Sequence, residues 1–535
     1  MKPRTCVTPE GSFSVGIHDP GFRVENLREN TLISALGQLP GGTPVENRVN
    51  YPSSSVSADR TDRIYEVANP FPFRGTTFIN SAWADRHAGR PETISVPAKP
   101  ECSLTGSLKA WQKARGGEPE IPPLQEILPR PIMLALAQAS TDPDELATLA
   151  GTACDILFDT AGNPTGIGYK ELENGTRVPR VHDHELYDVL GNNPFLPDDY
   201  KEVMVLRPGI QGNSEIIGEV TEDTHVFEYL RRNSYIPWGH FASNMANDEI
   251  RYRAKDLTRA DMAGIRHLYY QRIFVRLAEQ LDIPLPAAGR ALTTDELENL
   301  RKEIRTRISG AGKLAFNSAL WGWNFGFGFA QSGHRLHASH QMIHQQNAMV
   351  PGTVPDREGN PYNCFSCGDL VTDFIREFKA AYDTDFFEAY LRAIRTNRRT
   401  DGQEEGPSSL IVFEDDRVIL FAPKAQVSEW ELQLTTKAPC AHILDADTPT
   451  RASLDNAMLT AVQVLETLGA QMVTGVEFSG RLDTPAMGQH LVYSFIPRLP
   501  YAPGTFSEAQ LRWISGCYPE DFAQACRRAI PSGKD

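Results

Sequence analysis

The sequence predicts an α+β protein, and three observations carry that prediction. Strand-like runs in the C-terminal part occur as hairpins and near neighbours rather than as strand–helix–strand repeats. Single helices with readable start and stop signals lie between them. A glycine-rich aromatic run, W-G-W-N-F-G-F-G-F-A-Q-S-G from Trp321 to Gly333, is poor helix material and enters a dense cluster of histidines as a strand.

Taken in chain order, residues 1 to about 60 are rich in Gly, Pro, Asn and Ser and predict irregular chain. The Pro-rich stretch from Pro97 to Pro131 predicts a connecting or wrapping segment. Strand-like text follows at Glu202–Arg207 and Trp238–Asn244. A helix opens at Asp256 and runs to about Leu281, with Thr258 as N-cap and Asp261 at its third position. A second helix is expected from Thr294 to Arg307. After the turn-rich linker Pro351–Tyr362, two short helices are expected at Asp369–Ala381 and Asp385–Thr396. Leu410–Phe421 predicts a hairpin turning at Glu414–Arg417, and Glu429–Thr435 a strand. Ser453 is read as the cap of a helix that Gly469 ends. Gln471–Glu477 and His490–Ile496 are expected strands. Two short helices close the chain, with Pro519 opening the last.

At 535 residues the chain has room for two or three domains. A hydrophobic fraction of 41% and a charged fraction of 23% are ordinary for a soluble enzyme. The net charge of −15 argues against nonspecific nucleic-acid or anionic-membrane binding, while leaving room for a local basic phosphate pocket. No apolar run approaches the roughly 20 residues of a membrane helix. The N-terminal segment lacks a signal-peptide core, so a cytoplasmic protein is the expectation.

Between Ser332 and Asn347 the chain reads S-G-H-R-L-H-A-S-H-Q-M-I-H-Q-Q-N. His334, His337, His340 and His344 fall in that short span. Imidazole binds metals, titrates near neutrality and acts as a nucleophile. On a strand, Ala338, His340, Met342 and His344 share one face. On a helix, His337, His340 and His344 share a face instead, which is metal-site spacing. Six of the eight cysteines are scattered and read as packed thiols. Cys364-Phe-Ser-Cys367 is a C-x-x-C, a spacing typical of zinc or a redox pair.

The region after residue 360 resembles the histidine-triad superfamily, in its galactose-1-phosphate uridylyltransferase and diadenosine tetraphosphate phosphorylase branch. The resemblance rests on C-F-S-C, on R-V-I-L-F-A-P-K-A-Q-V-S-E-W-E-L-Q-L, on K-A-P-C-A-H ending at His442, and on H-L-V-Y-S-F-I-P-R-L from His490. The histidine cluster resembles the corresponding strand of a preceding unit, which that family writes Gly-Ala-Ser-x-x-His-x-His-x-Gln-Ile. Aligned on Gly333 and Ile343, the second histidine falls on His340, the first on Ala338 and the glutamine on Met342. In the second unit the nucleophile position falls on Val492.

That resemblance implies two histidine-triad-like α+β units with antiparallel sheets and flanking helices. They would span 201–350 and 360–525, after an N-terminal extension of 1–200 in which 69–87 is a candidate strand. Either that stretch or Ile236–Glu249 is similar to the family's Pro-Gly-His strand. The implied zinc set is Cys364, Cys367, His442 and His490, with Cys440 as a substitute for His442. The implied chemistry is nucleotidyl transfer or phosphorolysis of a nucleotide sugar or dinucleoside polyphosphate through a nucleotidyl-histidine, with phosphate or a sugar phosphate as acceptor. His340 is then the nucleophile, with Gln341 and His344 beside it in catalysis. Asn324, Arg335, His337, Ser339 and Gln345 are expected substrate contacts, and Arg74 and Arg498 further anion contacts. A homodimer stays open. A metal-dependent hydrolase using the 334–344 histidines and a noncatalytic nucleotide-sugar binder are the competing readings.

Overall fold

The computed structural model describes residues 2–28, 31–48, 54–116, 122, 124–173, 177–191, 193–204, 241–243, 255, 257–285, 292–309, 314–326, 343–485, 487–499 and 504–531. Its centre is one eight-stranded sheet in which every neighbouring pair is antiparallel. The strand order is Phe241–Ser243, Ile343–Val350, Ser318–Gly326, Met472–Phe478, Val492–Arg498, Leu432–Thr436, Val418–Phe421 and Ile411–Glu414. The first three strands come from the region before residue 350 and the other five from the region after 410. They meet where Ser318–Gly326 pairs with Met472–Phe478. The strand at 241–243 belongs to this sheet. The strands at Ile64–Ala68 and Thr76–Asn80 belong to a separate four-stranded sheet with Gly16–His18 and Arg512–Ser515. Of the two stretches similar to the family's Pro-Gly-His strand, it is the later one that lies beside the histidine-bearing strand.

Alternation explains which way the central strands face. In Ser318–Gly326 the residues Ala319, Trp321, Trp323 and Phe325 are buried, and Leu320, Gly322 and Asn324 are only half-buried. With a period of two, the buried set faces the helices and the other set faces away. Two long helices, Arg259–Gln280 and Thr448–Thr467, cover the buried face and share its core with those aromatics. Arg266 is fully buried in that layer. It is ringed by Tyr269, Tyr270, Trp321 and Tyr493, and ion-paired with Asp455 at 3.2 Å and Glu477 at 3.7 Å. An unpaired guanidinium there would cost several kcal/mol, so the two carboxylates are what permit it.

The opposite face is covered over its second-unit half. The helices Cys367–Tyr382 and Phe386–Arg395 pack there with Phe71 against Ile419, Phe421 and Val492. The described residues between 104 and 204 have a core of their own, built on Leu146, Leu149, Leu186 and Leu190.

Most helix signals match. Thr293 caps Thr294–Ile308 in a full capping box with Glu296, and Asp385 caps Phe386–Arg395. Five expectations need correction. Glu202–Met204 ends a helix, Asp198–Met204, rather than starting a strand. The Thr448–Thr467 helix is capped by Asp447, with Pro449 in its first turn, so Ser453 lies inside it. Residues 1–60 contain short strands, and Arg512–Ser515 is a strand between the two tail helices. The Pro-rich stretch holds a helix, Leu104–Ala114, capped by Ser103.

Candidate active site

The histidine-bearing strand begins, among the described residues, at Ile343. Its ladder pairs His344 with Asn324 and Gln345 with Trp323. Gln345, Asn347 and Met349 are buried, while Gln346 is exposed. The even-numbered positions therefore face away from the long helices, and position 344 belongs to that series. His340, Gln341, Arg335, His337 and Ser339 lie outside the described residues. Gln345, expected as a substrate contact, is on the other face. It accepts from Trp321 Nε1 at 2.9 Å and donates to the Ile265 carbonyl at 3.3 Å. It is a core residue because its parity is odd.

Asn324 is on the outward face. Its Oδ1 accepts from Thr474 Oγ1 at 2.7 Å, across the junction of the two units, and Thr474 Oγ1 accepts from Arg498 Nε at 3.1 Å. The register is symmetric about this junction. Asn324 pairs with Thr474, Asn324 also with His344, and Thr474 also with Ile496. His344 and Ile496 thus occupy matching places on the two motif strands. Four positions before His344 in the sequence is His340, outside the described residues, and four before Ile496 is Val492.

The Val492 place is filled. Val492 is 2% exposed and shares a cluster with Phe71, Phe387 and Tyr390. Phe71 comes from the N-terminal region and contacts four aromatic rings there, Phe374, Phe386, Phe387 and Tyr390, at centroid distances of 5.4–6.1 Å. Arg74, three residues on, bonds Glu431 at 2.5 Å and Ser494 Oγ at 3.1 Å and lies over the Phe478 ring. Asn69 and Thr77 tie the segment to the Ala425 and Gln426 carbonyls. Arg74 is thus neither a surface charge nor an anion contact. It is the buried partner of a carboxylate, and the segment plugs the second unit. Sequence reasoning missed this role, for which the only local signal was the apolar N-P-F-P-F-R text around a lone arginine.

The four residues of the implied zinc set lie in different surroundings. Cys367 opens a helix, with its thiol against the Glu477 carbonyl at 3.4 Å, and burial pushes that thiol up to about 11. The Cys364 carbonyl accepts from Arg481, which also bonds Asp369, Asn317 and the Pro351 carbonyl. His490 stacks on Phe387 at 4.5 Å with Nδ1 at 2.6 Å from the Thr436 carbonyl oxygen. His442 is buried, with Nδ1 3.4 Å from Asp445, and burial lowers both histidine pKa values. Among the described residues no three His, Cys, Asp or Glu side chains are grouped to hold a metal ion. As placed, this set does not fit a closed tetrahedral zinc site, and Cys440, paired by a bridge to His490, does not complete it. No helix among the described residues is long and apolar enough to cross a membrane.

No protein-family model matches the sequence, and no curated protein matches it. Solved structures similar to this chain include a galt-like protein from Arabidopsis thaliana, with 14% identity, a TM-score of 0.37, and coverage of 56% of this chain and 79% of that one. An ADP-glucose phosphorylase from Arabidopsis thaliana with bound ADP-glucose has 14% identity and a TM-score of 0.35, covering 56% and 76%. A uridylyltransferase has 14% identity and a TM-score of 0.35, covering 53% and 73%.

Proposed function

We propose that the chain is a nucleotidyltransferase or phosphorylase working on a nucleotide sugar or dinucleoside polyphosphate through His340. The observation that carries this reading is the register of the two motif strands. His344 lies opposite Asn324 and Ile496 opposite Thr474, and Asn324 pairs with Thr474, so the sequence alignment of His340 with Val492 is compatible with the ladder pairs. The place matching His340 in the second unit is an apolar residue under a plug. One histidine per chain is then the nucleophile.

In the reaction, the His340 imidazole attacks the α-phosphorus. A nitrogen–phosphorus bond forms as the α–β phosphoanhydride bond breaks, and the sugar phosphate or nucleotide leaves. An oxygen of inorganic phosphate or of a sugar phosphate then attacks the same phosphorus and releases His340. Covalent catalysis divides one hard transfer into two easier ones. Aligned positioning and fixed donors for the phosphoryl oxygens supply the rest. Asn324, paired with His344 in the ladder, and Thr474, bonded to Asn324, are polar groups of the outward face at this junction.

The test is incubation with nucleotide sugars and dinucleoside polyphosphates followed by intact-mass measurement. A nucleotidyl adduct is expected on the native protein and absent from His340→Ala, while His334→Ala keeps it. An adduct that survives His340→Ala, or no adduct with any compound of either class, refutes the reading. Ligand binding without an adduct would identify a noncatalytic binder.

A further inference from the structure

Arg498 ends a second-unit strand but lies at the first unit's end of the shared face. Ile343 pairs with Phe325, and that row continues through Val473 to Pro497. Arg498 is one step beyond, in the row of Met472 and Gly326. That is the end of the sheet at which the chain leaves Gly326 and re-enters at Ile343. Val492 lies toward the opposite end, opposite Phe478.

The side chain of Arg498 is exposed, and its Nε is anchored on Thr474 Oγ1, which in turn donates to Asn324. Anchoring through Nε leaves the end-on edge of the planar fork, between the two terminal nitrogens, outside the anchoring bond. Arg74, Arg266, Arg399 and Arg481 each have a carboxylate within 4.0 Å. Among the described residues Arg498 has none. A positioned guanidinium whose terminal nitrogens have no partner among the described residues matches the paired oxygens of a phosphate group.

We propose that Arg498, held by Thr474 and Asn324 at the junction of the two units, binds a phosphate of a nucleoside diphosphate group at this face. The assignment rests on the reading of this face as a nucleotide site, and goes beyond it by naming the group that holds the diphosphate. Thr474 and Asn324 act through Arg498 as positioning residues. Thr474→Val removes the anchor and keeps the charge.

The experiment is calorimetric titration of the full chain with ADP, and separately with inorganic pyrophosphate, alongside adduct formation by intact mass. Arg498→Ala should weaken both affinities roughly 10- to 100-fold, the range for losing a charge-assisted contact. Arg498→Lys should recover part of the loss, because lysine keeps the charge without the fork. Thr474→Val should fall between. Both Arg498 variants should melt with the native protein, since Arg498 is exposed. If the native protein binds neither probe, or Arg498→Ala binds both as the native protein does, the assignment is overturned. An adduct with Arg498-independent binding sinks the assignment alone. Arg498-dependent binding without an adduct leaves it standing and sinks the nucleotidyl-histidine.

Discussion

Replacing Arg74 with alanine should destabilise the protein more than any exposed substitution in the N-terminal region. Arg74 and Glu431 are 8% and 0% exposed and 2.5 Å apart. Glu431 also accepts from Ser494 Oγ at 2.5 Å, Gln433 Nε2 at 3.0 Å and the Val427 amide at 2.8 Å. Removing the arginine leaves a carboxylate with three hydrogen-bond donors and no cation, in a place water does not reach. Breaking a buried pair from one side costs about 3–5 kcal/mol. At about 2–4 °C per kcal/mol for domains of 150–250 residues, the melting temperature should fall by about 6–20 °C. The assay is thermal melting by circular dichroism, with urea unfolding as a check. Arg74→Met with Glu431→Gln removes both charges and should cost less than Arg74→Ala alone. A single variant melting within 2 °C of the native protein, or a double variant at the sum of the singles, refutes the reasoning.

Two more outcomes follow. Burial raises the Asp455 carboxyl from 3.8 to about 6, against the pull of Arg266 and Tyr270. A raised folded pKa means stability that is full below the unfolded value and lost as pH climbs through about 6. Asp455→Asn should therefore gain on the native protein by up to roughly 3 kcal/mol between pH 4 and 7. A stability difference in urea that does not change over that range counts against it. Gly368→Ala would place a Cβ 1.7 Å from the Ser479 carbonyl oxygen, so the helix that starts at Cys367 must move off the central sheet. Loss of several kcal/mol is expected, read as early cleavage at 351–366 in limited proteolysis. A native cleavage pattern would show that the helix adapts freely.

The second unit was largely legible because its information is local. Asp385 and the 410–421 hairpin specify their elements within a few residues. Gln345 was misplaced as a substrate contact: an amide on the odd face of its strand finds Trp321 and a backbone carbonyl inside the core. What sequence reasoning missed depends on distance along the chain. Arg74 meets Glu431 across 357 positions. Arg512–Ser515 becomes a strand only because Thr76–Asn80 offers it a parallel edge. Neither has a nearby partner whose pattern would announce it. Glu202–Met204 was mistaken for strand text because Tyr200, Val203 and Met204 suit either state, and the packing of the core between residues 104 and 204 decides for helix.

The junction of the two units also bears on how the chain reaches its fold. Asn324 meets Thr474 across 150 positions. During synthesis at about 5–20 residues per second, the Ser318–Gly326 strand waits about 8–30 s for its partner. Throughout that time it presents unpaired amides and carbonyls, the kind of edge that recruits foreign strands. A fragment ending near residue 350 would keep that edge permanently. Closing a loop of this length is entropically costly before any contact rewards it. The junction should accordingly be among the last ladders to form, and an isolated first unit should be prone to aggregate.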